Sequence, residues 1–272
     1  MGAGTRIGAA DAWLVPAAIP EAVIEHARAV TAVAFDRLAA TARRVGPWRV
    51  AEEEPGSRFV PTACSFDSRW LAATLSHGSL LVDGGLVASI EALLGGPPAL
   101  IEDEAWIRRQ VPTNEAVTPH VPHSWHQDGA LGVDFESPAG DPVASMLPMV
   151  TAWCALDECG AIAPGLEISH DRLDGLLRPD ELAPFAPRAG ESTVPMIDRG
   201  DVLLLTGAVL HRTGRPAGAV AARRSIELRF VSAETPPARL RDRPLSRLQR
   251  PPRSATGRSR WDRFACWCAP TC

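Results

Sequence analysis

The clearest pattern that could bind a metal ion is His126-Gln127-Asp128, within the segment VTPHVPHSWHQDGALG. In an extended chain, residues i and i+2 point to the same side, so a short strand here would present the imidazole and the carboxylate to one ion. Two imidazoles and one carboxylate form the ferrous facial triad, which leaves three positions open for co-substrate and oxygen. The pair alone is weak evidence, because seven histidines and sixteen aspartates in 272 residues give about 0.4 such pairs by chance.

A second imidazole for such a site must come from another part of the chain, and His211 is the candidate. A turn at 200–201 leads into an apolar run over 202–205, and His211 follows it, 83 residues after Asp128. That separation leaves room for several strands between the two parts of the site. Further along, the pair Arg223-Arg224 begins an alternating run, and an arginine near the metal could bind a dicarboxylate by a bidentate ion pair.

The elements that must position these residues change character along the chain. Residues 1–98 are predicted to be mainly helical, with helices over about 20–44, 68–76 and 80–94, because apolar residues recur there at helical spacing. From residue 99 onward, short apolar runs separated by Gly, Pro and Asp predict strands; these cover 99–109, 149–156, 167–168, 202–205 and 225–232. Helices followed by strands predict a barrel or sandwich braced by helices on one side.

The distribution of charge limits the partners. The net charge is −4, and the segment after residue 235 has nine arginines and two aspartates, which leaves −11 for residues 1–235. Phosphate binding requires clustered cations, so the acidic body is unsuited to nucleic acid. The longest apolar stretch, 202–210, is far shorter than the ~18 residues of a membrane span, and we expect no membrane segment and a cytoplasmic protein.

We expect one domain over residues 1–235, with its sheet-forming part over 99–235. Residues 236–272 are predicted to be an Arg/Pro-rich tail that is mobile or loosely docked on the acidic body. Six cysteines in a chain of this length do not form a disulfide framework, and Cys64, Cys154 and Cys159 are expected to be buried thiols.

Acidic residues flank the candidate site in two clusters, Glu102-Asp103-Glu104 and Asp134 with Glu136. Such clusters are usually a solvated face. The functional alternative is that they receive a cationic, amine-bearing substrate. The negative charge of residues 1–235 disfavours a CoA thioester, which would require a cationic entrance.

Several segments, in their order and approximate spacing, resemble the phytanoyl-CoA dioxygenase-like family of iron(II)- and 2-oxoglutarate-dependent oxygenases. They are HSWHQDG, TAWCALDECG, GLEISH, GDVLLLTGAVLHRTG and RRSIELRF, within residues 99–232. The resemblance implies a double-stranded β-helix, a jelly roll of the cupin kind, with helices packed on its larger sheet. It also implies that His126, Asp128 and His211 bind iron, with 2-oxoglutarate and O2 as co-substrates.

The resemblance implies roles for three further residues. Thr213 corresponds to a hydroxyl residue two positions after the distal histidine, and Trp153 stands where relatives often have a tryptophan near the co-substrate, with a core tryptophan as the alternative. An arginine in the last strand corresponds to the one that pairs with the 5-carboxylate of 2-oxoglutarate. Alternation favours Arg223 for this role, because it shares a polar face with Ser225, Glu227 and Arg229, whereas Arg224 lies on the apolar face that helices must cover.

The sequence departs from the family pattern at two places near the substrate opening. The usual Pro-Gly-Ser-His turn is Glu167-Ile168-Ser169-His170 here, and Arg215-Pro216 stands in the region where an asparagine is common. The substrate of a known relative therefore does not transfer to this chain.

The carboxylate at Asp128 implies hydroxylation of a small molecule, or a related desaturation or ring closure, since halogenating relatives have a small residue there. We expect a role in specialised metabolism. Two alternatives remain open: a zinc- or manganese-dependent cupin enzyme without oxygen chemistry, and a non-catalytic binding module of the same fold. A cupin enzyme without oxygen chemistry gives no role to Thr213 or to an arginine in the last strand. Three intact ligand positions argue against a non-catalytic binding module.

Overall fold

The computed structural model describes residues 4–8, 11–41, 43–45, 48–50, 57–60, 63–66, 84–112, 124–133, 135, 146–173, 175–182, 191–214 and 216–248. The helices in these ranges are α1 (Glu21–Thr41), α2 (Gly84–Leu94) and α3 (Pro179–Leu182). The strands are β1 (Thr5–Arg6), β2 (Ala12–Val15), β3 (Arg43–Val45), β4 (Trp48–Val50), β5 (Ser57–Val60), β6 (Ala63–Phe66), β7 (Pro98–Ile101), β8 (Trp106–Gln110), β9 (His126–Gln127), β10 (Met149–Ala155), β11 (Leu166–Ser169), β12 (Ser192–Thr193), β13 (Val202–Thr206), β14 (Leu210–Thr213), β15 (Arg223–Ser232) and β16 (Leu245–Arg247).

Two antiparallel sheets form the β core. Ten of the described strands make up the larger sheet, in the order β1-β2-β13-β10-β15-β8-β6-β5, with β7 also pairing with β15 and β16 pairing with β7. The smaller sheet has the order β12-β11-β14-β9, and β3 pairs with β4 in a separate hairpin. The predicted fold class, a mainly β jelly roll with helical support, is confirmed.

Alternation along the central strands separates an outer apolar face from an inner, partly polar face. On β15, Ile226, Leu228 and Phe230 pack in one buried cluster with residues of α1 and α2. On α1 this cluster includes Ile24 and Phe35, which lie on the same face at helical spacing. The inner face of β15 carries the alternate residues, and these are the polar ones. The helices therefore cover the outside of the larger sheet, which leaves its inner face to form a cavity.

The N-terminal part of the chain contains more strand than the sequence predicted. β2, β5 and β6 belong to the larger sheet, so the expectation that residues 1–98 are mainly helical is wrong for these segments. α1 ends at Thr41 and is followed by the β3–β4 hairpin, and α2 lies within the helix predicted over 80–94. The helix predicted over 68–76 lies outside the described residues. A 3-10 turn over Glu102–Glu104 divides the strand predicted over 99–109 into β7 and β8.

The chain continues to pack beyond the boundary predicted at residue 235. β16 pairs with β7, and Leu240 is fully buried in an apolar cluster with Ile101, Met149 and Val231. The expectation of a loosely docked tail is therefore wrong for residues 236–248, because a buried leucine and an added strand fix this segment to the larger sheet. The rest of the predicted tail, 249–272, lies outside the described residues.

None of the helices in the described ranges is both long and apolar enough to span a bilayer. Cys154 and Cys159 are buried free thiols, as predicted. Burial, together with the nearby Glu227 carboxylate, raises the pKa of Cys154 to about 12. Burial also raises the pKa of Cys159 to about 11. Both thiols are therefore protonated and unreactive at neutral pH.

Candidate metal centre

The three predicted metal ligands meet at the end of the smaller sheet. His126 on β9 lies directly opposite His211 on β14, and Asp128 begins the 3-10 turn that follows β9. One ligand atom from each residue lies within 4.8 Å of the other two. Nε2 of His126 is 4.0 Å from Asp128 Oδ1, and Nε2 of His211 is 3.9 Å from Asp128 Oδ2. The structure thus brings together two imidazole nitrogens and a carboxylate that are far apart in sequence.

The second nitrogen of each imidazole is held by the backbone. Nδ1 of His126 is 2.8 Å from the carbonyl oxygen of Ser124, and Nδ1 of His211 is 3.0 Å from that of Val209. A carbonyl oxygen only accepts hydrogen bonds, so Nδ1 carries the proton in each neutral ring. Nε2 then keeps the lone pair that a metal ion requires. The donor set is that of a two-histidine, one-carboxylate iron site.

Both oxygens of the Asp128 carboxylate have hydrogen-bond donors. Nη2 of Arg229 donates to Oδ1 at 2.9 Å, and Oγ1 of Thr151 donates to Oδ2 at 2.6 Å. Burial alone would raise the pKa of Asp128, but the Arg229 cation, the two imidazoles and the Thr151 hydrogen bond outweigh it and hold the pKa well below its usual range. The carboxylate is therefore ionised at neutral pH. No motif in the sequence marks Arg229 or Thr151 as part of the site, although Arg229 lies on the polar face predicted for β15.

The triad opens into a cavity between the two sheets. The other predicted site residues, Arg223, Thr213 and Trp153, line the same cavity. The indole N–H of Trp153 is buried and has no acceptor among the residues that the structure describes. All six predicted site residues therefore surround one space. The remaining polar lining consists of Arg108, Gln110, Thr151, Glu227 and Arg229.

Arg223 and Arg224 face opposite sides of β15. The Arg223 guanidinium lies 4.8 Å from the ring of Trp153 and donates to the carbonyl oxygen of Pro164 at 3.0 Å. Burial lowers the pKa of Arg223, and none of the described carboxylates forms an ion pair with it. Arg224 instead makes a bidentate pair with Asp157 on the helical side, with both bonds 2.8 Å long. The buried cation that has room for an anionic ligand is Arg223.

Gln127, between the two ligands of the H-x-D pair, joins three segments of the site. Its amide nitrogen donates to the carbonyl oxygens of Gly175 and Ala208, each at 3.0 Å, and its side-chain oxygen accepts from the backbone N–H of Leu177 at 2.8 Å. Ala208 belongs to the turn that leads to His211. One buried amide therefore fixes β9 relative to the strand that carries the second histidine, and the sequence contained no signal for this role.

The first acidic cluster is not a solvated face, and it does not line the cavity. Glu104 pairs with Arg229 at 3.2 Å and with Arg243 at 2.5 Å, and Asp103 pairs with Arg243 at 3.2 Å. Glu102 accepts a hydrogen bond from the hydroxyl of Ser246. Arginines of the same chain therefore neutralise Asp103 and Glu104, whereas Glu102 pairs with a hydroxyl, so the predicted role of receiving an amine is wrong for Asp103 and Glu104. The second cluster, at 134 and 136, lies outside the described residues.

Comparisons with known proteins identify the fold and a family. Residues 22–225 match the model of the family described as phytanoyl-CoA dioxygenase (PhyH). No curated protein gives a significant match.

Solved structures of similar fold share little sequence with this chain. The non-heme α-ketoglutarate-dependent carbocyclase SnoK from nogalamycin biosynthesis is 14% identical, with a TM-score of 0.56 over 82% of this chain and 79% of SnoK. The epimerase SnoN, in complex with Fe³⁺, α-ketoglutarate and nogalamycin RO, is 18% identical, with a TM-score of 0.52 over 82% of this chain and 79% of SnoN. HygX from Streptomyces hygroscopicus, with nickel, 2-oxoglutarate and hygromycin B bound, is 15% identical, with a TM-score of 0.50 over 83% of this chain and 84% of HygX.

Proposed function

Because the chain belongs to the phytanoyl-CoA dioxygenase family, we propose that it oxidises an unactivated C–H bond of a small molecule, with iron(II), 2-oxoglutarate and O2. Members of this family are 2-oxoglutarate-dependent non-heme iron enzymes. The observation that carries the proposal is the convergence of His126, Asp128 and His211 in a cavity that also contains a buried arginine, Arg223.

The residues at the proposed iron site fit a ferrous ion. Nε2 of each imidazole carries the lone pair that a metal ion requires, and Arg229 outweighs the effect of burial and keeps the carboxylate ionised without adding a fourth protein ligand. A structural zinc site would need four protein ligands, and the described residues supply three. The coordination positions that three protein ligands leave open on the iron would take 2-oxoglutarate and O2.

The proposed 2-oxoglutarate site is the inner end of the cavity. Arg223 would pair with the 5-carboxylate, because a buried guanidinium requires an anionic partner to offset its desolvation. The unpaired indole N–H of Trp153 and the hydroxyl of Thr213 line the same space and could donate to the co-substrate. This assignment explains why the polar face of β15 points into the barrel.

When bound, iron, 2-oxoglutarate and O2 supply the oxidation: a C–H bond becomes C–OH while 2-oxoglutarate is converted to succinate and CO2. The protein's own contribution is to position the ligands, keep Asp128 ionised and line the cavity with apolar side chains such as Leu166 and Leu205, which limit access by water. Desaturation or ring closure at the same site would differ only in the fate of the substrate after the C–H bond breaks.

The proposed substrate is a small molecule of specialised metabolism, and an amine-bearing one is the first class to test. Support for an amine comes from the charge of −11 on residues 1–235 and from Glu227 in the cavity lining, although Glu227 also pairs with Arg108 at 2.7 Å. We also propose a cytoplasmic location, where the buried free thiols Cys154 and Cys159 would remain reduced.

The test is anaerobic metal titration followed by a substrate screen coupled to succinate production. The purified chain is expected to bind one ferrous ion, and His126→Ala, Asp128→Ala or His211→Ala is each expected to abolish both binding and turnover. His170→Ala is the matched control, because His170 follows β11 and does not line the cavity. Full activity in any of the three ligand variants contradicts the assignment, and turnover that does not depend on 2-oxoglutarate identifies another class of metal enzyme.

A further inference from the structure

We propose that residues 236–248 are a positioning element of the metal site, which acts on the ligand Asp128 through Arg239 and Arg243. The inference rests on the proposed function, since it assumes that Asp128 binds the metal ion. This segment follows β15, includes β16 and lies beyond residues 22–225, which the family model matches. Two independent sets of contacts connect it to the triad.

The first connection is a direct bond to the turn that carries Asp128. Nη2 of Arg239 donates to the carbonyl oxygen of Gly129 at 2.6 Å. Gly129 is the residue after Asp128, and the 3-10 turn Asp128–Ala130 contains both. A charge-assisted bond to this carbonyl restrains the backbone from which the ligand carboxylate projects. Arg239 therefore holds the turn through the Gly129 carbonyl.

The second connection is a chain of ion pairs that is buried at the metal site and partly exposed at Arg243, whose side chain is 28% exposed. Nη1 of Arg243 is 2.5 Å from Glu104 Oε1, Glu104 Oε2 is 3.2 Å from Arg229 Nη1, and Arg229 Nη2 is 2.9 Å from Asp128 Oδ1. The side chains of Asp128, Arg229 and Glu104 are 5%, 9% and 13% exposed, so water screens these pairs only weakly. Removing Arg243 leaves Glu104 charged and largely buried, with the Trp106 indole and Arg229 as its remaining partners on Oε2 and none of them on Oε1. Arg243 therefore fixes Glu104, which fixes the guanidinium that orients the ligand.

The segment is rigid enough to serve this purpose. Leu240 is fully buried between the two arginines in sequence, and β16 hydrogen-bonds to β7 just after them. Arg241 lies between Arg239 and Arg243 but is exposed. The three arginines thus occupy the same short segment, and only the outer two make contacts that lead to the site. Arg241 therefore provides a control within the same segment.

The experiment titrates the metal-free, full-length protein with Co²⁺ under anaerobic conditions. Arg239→Ala and Arg243→Ala are each expected to raise the Kd for Co²⁺ about tenfold, within the range seen for residues that support metal ligands. Both are also expected to alter the visible absorption of the bound Co²⁺, which reports ligand geometry. Arg241→Ala should match the wild type in both measurements.

A purely structural role predicts a different result. In that case Arg239→Ala and Arg243→Ala lower the unfolding temperature of the metal-free protein, but well below that temperature they bind Co²⁺ with the wild-type Kd and spectrum. That result overturns the proposal. If either alanine variant fails to fold, Arg239→Lys and Arg243→Lys keep the charge and lose the guanidinium geometry, and they are subject to the same comparison.

A double-mutant cycle tests the route through Glu104. If Arg243 acts through Glu104, adding Arg243→Ala to Glu104→Gln changes the Kd little further, whereas independent effects multiply and contradict the route.

Wild type and His211→Ala separate this inference from the proposed function. If wild type does not bind Co²⁺, or binds it equally in His211→Ala, the proposed site fails; if only the arginine variants behave as wild type, the positioning role alone fails.

Discussion

Gly129 and Gly207 pack backbone against backbone, and the N–H of Gly129 donates to the carbonyl oxygen of Gly207 at 3.0 Å. Gly129 directly follows Asp128, and Gly207 begins the turn that leads to His211. A Cβ atom at Gly129 would lie 2.7 Å from the Gly207 carbonyl oxygen, closer than real contacts allow. The two turns that carry the metal ligands can therefore approach each other only because neither residue has a side chain.

Gly129→Ala is expected to separate these turns and so weaken metal binding. The added methyl group would also lie 2.6 Å from Met146 Cγ, so the backbone must shift, at a cost of about 1–3 kcal/mol in the free energy of unfolding. We expect the Kd for Fe²⁺ to rise at least tenfold, measured by anaerobic titration. Gly218→Ala is the control, because no described atom lies within 4 Å of a Cβ there. Wild-type affinity in Gly129→Ala would show that the turns need not approach so closely.

Arg223→Ala is expected to weaken 2-oxoglutarate binding, whereas Arg224→Ala is expected to destabilise the fold. Arg223→Ala should raise the KM for 2-oxoglutarate by on the order of a hundredfold, equivalent to roughly 2–3 kcal/mol of charge-assisted bonding. Arg224→Ala should change that KM by a few-fold at most, because Arg224 pairs with Asp157 outside the cavity. It should instead lower the unfolding temperature. The reverse pattern in steady-state kinetics would place the co-substrate on the other face of β15.

The parts of the site that could be predicted from sequence are those set by local geometry. Strand alternation, with helices covering the apolar face, predicted Arg223 inside the barrel and Arg224 outside, and the i, i+2 spacing predicted His126 and Asp128 on one side. Neither inference requires knowledge of which strands are neighbours. A barrel or sandwich with helices on one side was predictable from the change in patterning along the chain, whereas the jelly roll itself was implied by the family resemblance.

The support for the metal ligands depends on strand register, which local patterns do not contain. Thr151 and Arg229 hold the two oxygens of Asp128 because they lie directly opposite each other across β10 and β15. The segment that contains Arg243 was predicted to be mobile or loosely docked, and its partner Glu104 is 139 residues away in sequence, where no local pattern reveals the pair. Ion pairs with residues far away in sequence hold the arginine-rich segment 236–248 against the rest of the domain.

Gln127→Leu is expected to weaken both the fold and the metal site. The leucine fills similar space but leaves the carbonyl oxygens of Gly175 and Ala208 and the N–H of Leu177 without the partner that the amide provides. Each such loss costs about 1–3 kcal/mol when the group stays buried, so the midpoint of urea unfolding should fall clearly. The Kd for Fe²⁺ should rise as well, since β9 is no longer tied to the turn before His211. Unchanged metal affinity in a destabilised variant would limit Gln127 to a structural role.

The ion pair between Asp157 and Arg224 is expected to make the fold sensitive to acid. Burial raises the pKa of Asp157, but its hydrogen bonds and charge interaction with Arg224, helped by Arg28 on α1, outweigh burial and hold the pKa below its usual value. In the unfolded chain the carboxyl has its ordinary pKa of about 3.9. The pair therefore stabilises the folded state fully above about pH 4, and this contribution disappears as the pH falls towards the lower folded pKa.

Asp157→Asn tests this pH dependence, with urea unfolding measured at a series of pH values. At pH 7 and pH 5 the variant should be less stable than the wild type by about 1–3 kcal/mol, because Arg224 loses a bidentate partner on a side chain that is 15% exposed. Below about pH 4 the two curves should converge, since the wild-type aspartate becomes protonated on unfolding. Asp180→Asn is the control: its side chain is 80% exposed and 3.6 Å from Arg178, and such a surface pair contributes little at any pH. A stability difference that stays constant from pH 7 to pH 3 would mean that the charge of Asp157 does not hold α1 and β15 together.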